Sequence, residues 1–392
     1  MEAFELSIDA LRARQCGKWT RYPGSVLPAF VADMDFAVPE PVQAVIKRFT
    51  DQQDYGYGRA TAVADLKTAF AERMQDRFGW AVDPEQVQHT TELIQSKFAS
   101  VLAFSQPGDG IIVQTPIYPP FLSTIEKTGR RLVENRLVDN GTRFVLDKEG
   151  LRQLVDDRTK IILFCNPHNP TGRVFERDEL LAIGELAVEH DLVVVSDEIH
   201  EDLIYPGHQH IPFASLSPEI AARTITITSA TKGFNIAGLR CAVMHFGSAD
   251  LHARFRQAVP DAILGQVSTI GLEATIAAWR YGQPWLDAVL QRLQGNRERI
   301  TRFVAETLPE LHHYAPEGTY LAWLDCRKLD LPGESPYQFF LDQAQVALGK
   351  GSDFGAPGQT CVRLNFATSE EVLEQILERM AVAVEHTPVL HR

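Results

Sequence analysis

From about residue 85 onward, short β-branched runs alternate with longer segments of helical period. That alternation restricts the chain to a mostly parallel sheet with helices on its faces. The runs are Gly110-Ile-Ile-Val113, Arg131-Leu-Val133, Lys160-Ile-Ile-Leu-Phe164, Leu192 to Val195, Thr224-Ile-Thr-Ile-Thr228 and Cys241-Ala-Val-Met244. Parallel neighbours need a crossover. Glu176 to His190 supplies one, with Leu180, Ile183, Leu186 and Ala187 at helical spacing. In open sheets of this kind ligands gather at the carboxyl ends of the strands. Asp197 falls at the end of one run and Lys232 just beyond another.

The texture changes after Pro260. A long helical stretch runs to about Leu308, interrupted near Gly282-Gln-Pro284, with Ile270, Leu272, Ile276, Leu286, Val289 and Leu293 on its apolar face. Beyond it, Thr319 to Leu324 and Thr360 to Phe366 read as strands, and Tyr337 to Gln345 and Glu370 to Val384 as helices. This predicts a large domain over 46–280, a smaller α+β domain over 281–392, and an N-terminal segment, 1–45, that packs on the smaller one.

At 392 residues, 45% hydrophobic and 23% charged, the composition is that of a soluble globular enzyme. A formal charge of -13 without a basic stripe excludes nucleic acid and anionic membranes as expected partners. Any anionic ligand must then be met by a few local cations. The cysteines (Cys16, Cys165, Cys241, Cys326 and Cys361) lack disulfide or metal spacing, which points to a reducing cytoplasm. An acidic N-terminus, Met1-Glu-Ala-Phe-Glu, is unlike a signal peptide, and no apolar run approaches the ~18 residues of a membrane span. His200, His208 and His210 cluster in sequence, but no cysteine or acid has ligand spacing with them, so no metal is expected. Asn140-Gly-Thr142 is read as a turn and Cys165 as a small core residue.

An amine and an acid at neighbouring strand ends suit an aldehyde cofactor with a pyridine ring. Lys232 would form a Schiff base with the aldehyde, and Asp197 would keep the ring nitrogen protonated so that the ring withdraws electrons. Asn166-Pro-His-Asn169-Pro-Thr-Gly172 follows the Lys160 to Phe164 run, and its two prolines and glycine make a rigid turn that fixes an asparagine amide at the same edge.

Taken with Val31-Ala-Asp-Met-Asp-Phe36, Tyr55-Gly-Tyr57, Thr115-Pro-Ile-Tyr118-Pro-Pro-Phe121, Ser196-Asp-Glu-Ile-His200, Ser229 to Arg240 and Val362-Arg-Leu-Asn-Phe-Ala367, these segments give the chain a resemblance along essentially its whole length. It resembles the fold type I, pyridoxal 5'-phosphate-dependent class I/II aminotransferase superfamily, and within it the cystathionine beta-lyase branch of carbon-sulfur lyases. The resemblance implies an α/β fold: a large domain with a mostly parallel seven-stranded sheet and a smaller α+β domain. It implies that Lys232 carries the cofactor and removes the Cα proton, that Asp197 pairs with the pyridinium, that Tyr118 stacks on the ring, and that Asn169 bonds the phenolate oxygen. His200 stands where many aminotransferases carry a tyrosine. Ser229, Arg240 and the backbone amides of Leu93 and Ile94 match phosphate ligands. Tyr57 would reach the phosphate from the neighbouring subunit of a homodimer. Arg363 would bind the substrate α-carboxylate, with the loop containing Ala32 closing over the substrate.

One stretch departs from the branch pattern: Thr90-Thr91-Glu92-Leu93-Ile94 puts a carboxylate beside a phosphate, which is repulsive unless Glu92 turns outward. The catalytic core serves two reactions. The first expectation is β-elimination from an L-amino acid carrying sulfur at Cβ; the alternative is transamination of an aromatic or broad range of amino acids.

Overall fold

The computed structural model describes residues 4–329, 331 and 335–386; the outermost residues of the N-terminal and C-terminal units assigned from sequence lie outside this range. A seven-stranded sheet contains β1 (Val87–Thr90), β2 (Gly110–Thr115), β3 (Arg131–Arg136), β4 (Thr159–Cys165), β5 (Val193–Asp197), β6 (Thr224–Thr228) and β7 (Ala242–Phe246), in the spatial order β1-β7-β6-β5-β4-β2-β3. All neighbours are parallel except β7, which runs antiparallel to both β1 and β6. The central strands are apolar on both faces because both are covered. Ile161, Leu163, Val193 and Val195 point into a cluster shared with helix α1 (Leu93–Phe104). Ile162, Phe164 and Val194 point the other way, onto Leu180, Ile183 and Leu186 of α2 (Arg177–Glu189), the crossover helix read from sequence. Each fully buried aliphatic side chain contributes roughly 1.5–3 kcal/mol.

Strand β1 was not read from sequence. Val-Gln-His-Thr has neither a β-branched run nor strict alternation, and its inner and outer residues are buried while the middle pair is half-exposed, the mark of an edge strand.

The interrupted helical stretch is α3 (Thr269–Tyr281) and α4 (Gln283–Glu306), meeting at Gly282 as the Gly-Gln-Pro signal predicts. Beyond it lies a second sheet. Its order is Leu27–Ala29, Val346–Lys350, Cys361–Asn365, Leu321–Asp325 and His312–His313. The N-terminal segment thus joins the C-terminal unit covalently remote from it, pairing Leu27–Ala29 in parallel with Val346–Leu348. The strand Val346–Lys350 begins where a helix was expected to end, because the helix stops at Gln343 and Gln345 turns the chain with a left-handed φ of 53°.

The two sheets are clamped together at the Asn166 to Gly172 turn. Gly172 has φ 71°, and a Cβ there would lie 2.3 Å from Pro316 Cβ, so only glycine fits. Its carbonyl accepts the N–H groups of Glu317 and Gly318 at 2.8 and 2.9 Å. The buried Arg173 guanidinium adds an ion pair to Glu317 at 3.0 Å.

Candidate active site

Strands β4, β5 and β6 lie side by side, with Cys165 opposite Asp197 and Asp197 opposite Ile227 in register. Everything that follows each strand therefore emerges at one edge. The Asn166 turn comes after β4, Asp197 ends β5, and Ser229 opens a one-turn helix, Ala230–Gly233, after β6. A cavity of ≈ 350 Å³ opens there, within the range of sites for small ligands. Every site residue expected from sequence lines it except Tyr57.

Lys232 is half-buried against the N-terminal loop and donates to the Ala32 carbonyl at 2.6 Å. Burial lowers its pKa and the nearby Arg363 pushes the same way, against Asp33 and Asp197, which raise it. A lowered lysine pKa gives a free amine, the form that attacks a carbonyl. Tyr320, which sequence reading missed, donates to the same Ala32 carbonyl at 3.1 Å.

The loop carrying Ala32 is stapled from several directions. Asn365 donates to Val31 O and Asp33 O at 2.6 and 2.7 Å, and Asn235 to Phe36 O at 2.8 Å. Asp35 is buried between Lys18 Nζ at 2.8 Å and Trp19 Nε1 at 2.7 Å, so it is a structural ion pair.

Arg363 reaches across from the smaller sheet. It donates through Nη1 to Asn169 Oδ1 and through Nη2 to Phe30 O, both at 2.8 Å. Burial lowers its pKa to about 10, and its buried Nε has no protein partner. A buried guanidinium with an unpaired N–H is a standing invitation to an anion. Because Asn169 Oδ1 is taken, its amide N–H₂ is the half left for the cavity. His200 is buried and neutral, its pKa lowered to about 3 by desolvation first and then by Lys232, Arg363 and Lys97; its Nδ1 is unpartnered. Tyr118 caps the helix that begins at Pro119, and its backbone N–H bonds Asn169 O at 3.1 Å.

Asp197 does not stand alone. Its Oδ2 accepts from Lys97 Nζ at 2.9 Å and its Oδ1 from the Ile199 N–H at 3.2 Å. Lys97 was missed because a lysine inside a helix is ordinarily solvated. The available signal was its place on the buried stripe, four residues after Leu93 and four before Val101.

At the start of α1, Glu92 does not turn away from the expected phosphate ligands. It pairs with Arg240, a residue held at a left-handed φ of 52°. Leu93 and Ile94 open the helix, where the first amides have no intrahelical acceptor. Ser229 spends its hydroxyl locally, accepting from Thr231 N at 3.1 Å and donating to Cys241 O. Tyr57 is 98% exposed and lines a separate groove with His89 and Thr269, so one chain does not bring it to the cavity.

The spacing argument against acid–histidine association needs correction, because Glu198, Glu201 and His210 come together in the interior. They are engaged internally: Glu198 accepts from His210 Nε2 at 2.8 Å and Ser196 Oγ at 2.7 Å, and Glu201 from Thr228 Oγ1 at 2.9 Å. Cys165 is buried, its thiol pushed up by desolvation, and Asn140 organises its turn by accepting from Thr142 N and Arg143 N.

The chain matches Aminotransferase class I and II over residues 31–380. It belongs to that family. It is 36% identical to cystathionine beta-lyase PatB of Bacillus subtilis over 91% of this chain and 92% of that one. A solved structure described as a PLP-dependent beta-cystathionase of Corynebacterium diphtheriae is 35% identical with a TM-score of 0.92, covering 98% of this chain and 99% of that one. Cystalysin of Treponema denticola, which contains pyridoxal 5'-phosphate, is 32% identical with a TM-score of 0.91, covering 97% and 98%. The likeness drawn from the motifs is therefore membership, the fold class is as expected, and the cofactor is pyridoxal 5'-phosphate. The residues fit that group: a desolvated amine, an acid for a ring nitrogen, and a helix start beside a cation for a phosphate.

Two outcomes follow from this geometry. Because only the neutral amine adds to an aldehyde, capture of pyridoxal phosphate by the apoprotein should rise with pH and level off below 10.5, the ordinary lysine value. Stopped-flow absorbance measures this, and a rise that persists through that value contradicts the lowered pKa. Glu92→Gln frees Arg240 for the phosphate, and because the pair is half-exposed the gain is modest, on the order of 2- to 5-fold tighter cofactor binding in a fluorescence titration.

Proposed function

We propose that this protein is a pyridoxal-phosphate-dependent carbon–sulfur β-lyase. It cleaves an L-amino acid bearing sulfur at Cβ, of the cystathionine type, to pyruvate, ammonia and a thiol. The observation that carries the reading is the convergence of Lys232, Asp197 and Arg363 on one cavity, in a chain whose curated relatives include cystathionine beta-lyases.

Arg363 binds the substrate carboxylate through its planar fork, beside the Asn169 amide, and so fixes Cα over Lys232. Bound cofactor supplies the carbonyl that links to an amine and the electron-withdrawing ring that stabilises negative charge at Cα. With the cofactor bound, Asp197 would pair with the ring nitrogen, Tyr118 would stack on the ring, and Asn169 with neutral His200 would serve its phenolate oxygen. The phosphate would be held by the amides of Leu93 and Ile94, by Arg240 once it leaves Glu92, and by Ser229 once its hydroxyl turns from Cys241 O. Lys232 Nζ removes the Cα proton; the electron pair forms a Cα–Cβ double bond, and sulfur leaves with the Cβ–S pair. The new Lys232 ammonium then protonates the departing thiolate. The released aminoacrylate adds water and loses ammonia to give pyruvate. The carbonyl of Ala32, itself held by the Tyr320 hydroxyl that donates to it, orients the lysine between these steps.

We also propose a homodimer in the cytoplasm, in which Tyr57 of a second copy completes the phosphate site; its 98% exposure supports this. Among the described residues no helix is long and apolar enough to cross a membrane. The division into 1–45, 46–280 and 281–392 stands as the domain scheme of this reading.

Incubation with L-cystathionine and no 2-oxo acid should give sustained pyruvate, ammonia and thiol. Turnover that appears only after an acceptor is added would make the protein an aminotransferase. Lys232→Ala should lower the elimination rate by on the order of 10³-fold or more. Sedimentation equilibrium should return twice the chain mass, and a monomer with full activity sinks the shared site.

A further inference from the structure

Helix α1 carries a lysine where its period calls for an apolar residue. Lys97 is 1% exposed, between the buried Leu93 and Val101 on the same stripe. Its ammonium lies 4.0 Å from the Phe121 ring centroid, 5.7 Å from that of Tyr118, and 2.9 Å from Asp197 Oδ2. Packing alone does not explain it. An apolar side chain would fill the space against the two rings without the cost of drying a cation, a cost that pairing only offsets. The charge is aimed at one atom, and that atom belongs to the acid of the cavity.

The surroundings do not dilute this pairing. From β4 the Cys165 thiol is kept protonated by burial, and from the turn after β5 His200 is kept neutral. Arg363 from the smaller sheet adds positive charge, Lys232 from the helix after β6 has its proton affinity lowered by desolvation, and Tyr118 from the loop after β2 presents its ring. Asp33 acts on Lys232 and Tyr320, on the N-terminal side of the cavity. Asp197 and Lys97 together are electrically neutral, so a ring nitrogen placed against them meets a carboxylate already half-committed to another cation.

We propose that Lys97 is a positioning residue that sets the proton affinity of the cofactor's ring nitrogen, by holding Asp197 Oδ2 and placing a second positive charge beside the protonation site. The proposal rests on the reading that Asp197 faces that nitrogen. An acid alone favours the pyridinium, and a neighbouring ammonium opposes it. Lys97 thereby weakens the electron sink at the one place where this chain departs from a simple acid–nitrogen pair. It touches the reaction only through Asp197.

The test uses holoenzyme loaded with pyridoxal phosphate labelled with ¹⁵N in the ring, whose chemical shift reports the nitrogen's proton as pH is varied. In Lys97→Met the nitrogen should keep its proton to a pH about one unit higher than in the native enzyme, a tenfold change in proton affinity. Lys97→Arg, which keeps the charge, should titrate like the native enzyme. Lys97→Gln keeps a donor to Asp197 without the charge and carries the same comparison if the methionine variant does not fold. Coincident titrations of native, Met and Gln forms overturn the proposal. Asp197→Asn separates the two readings. If it alone lowers the proton affinity, Asp197 faces the nitrogen and Lys97 is merely structural; if it also leaves the titration unmoved, the placement of Asp197 falls.

Discussion

The constraint on which the structure turns is the cost of keeping charge dry. Lys97, Asp197, Lys232 and Arg363 all border one cavity; the first, second and last are buried and Lys232 is half-buried. An uncompensated ion in such a place is prohibitively unfavourable, so each must be paired, hydrogen-bonded or discharged. The chain uses all three routes: Lys97 pairs with Asp197, Arg363 is tied to Asn169 and a backbone carbonyl, and Lys232 loses proton affinity. That cost also explains why residues remote in sequence are needed. The N-terminal loop supplies the Phe30 and Ala32 carbonyls to Arg363 and Lys232, and it is itself held by Asn365 from the smaller sheet and Asn235 just past the one-turn helix that carries Lys232. Reactivity at Lys232 and cohesion between the two sheets are the same set of bonds.

What the sequence made legible follows from this. Strand ends are marked by β-branched runs that stop, and the residues just past them can only be at the sheet edge, so Asp197, Asn169 and Lys232 were placed without any contact information. The edge strand Val87–Thr90 was invisible because its pattern is set by a neighbour, β7, that lies more than 150 residues away in sequence. Lys97 and Tyr320 were invisible for a different reason. Each is an ordinary residue type whose role comes from what packs against it, and a side chain's depth cannot be read from its name. Glu92 was noticed as anomalous, but the sign of its interaction depended on Arg240 being within reach of it.

Two charged residues of α1 reach toward the cofactor site. Glu92 stands just before its first residue and Lys97 about a turn and a half further on, separated by about 7.5 Å of helix rise. Glu92 meets Arg240, expected at the phosphate, and Lys97 meets Asp197, expected at the ring nitrogen. The two residues are opposite in charge, and each engages a protein group of opposite sign that borders the cavity. A helix that packs its apolar face on Ile161, Leu163 and Val195 cannot shift one end without the other, because a rigid rod transmits the displacement. The pairings of Glu92 with Arg240 and of Lys97 with Asp197 are therefore both placed by α1.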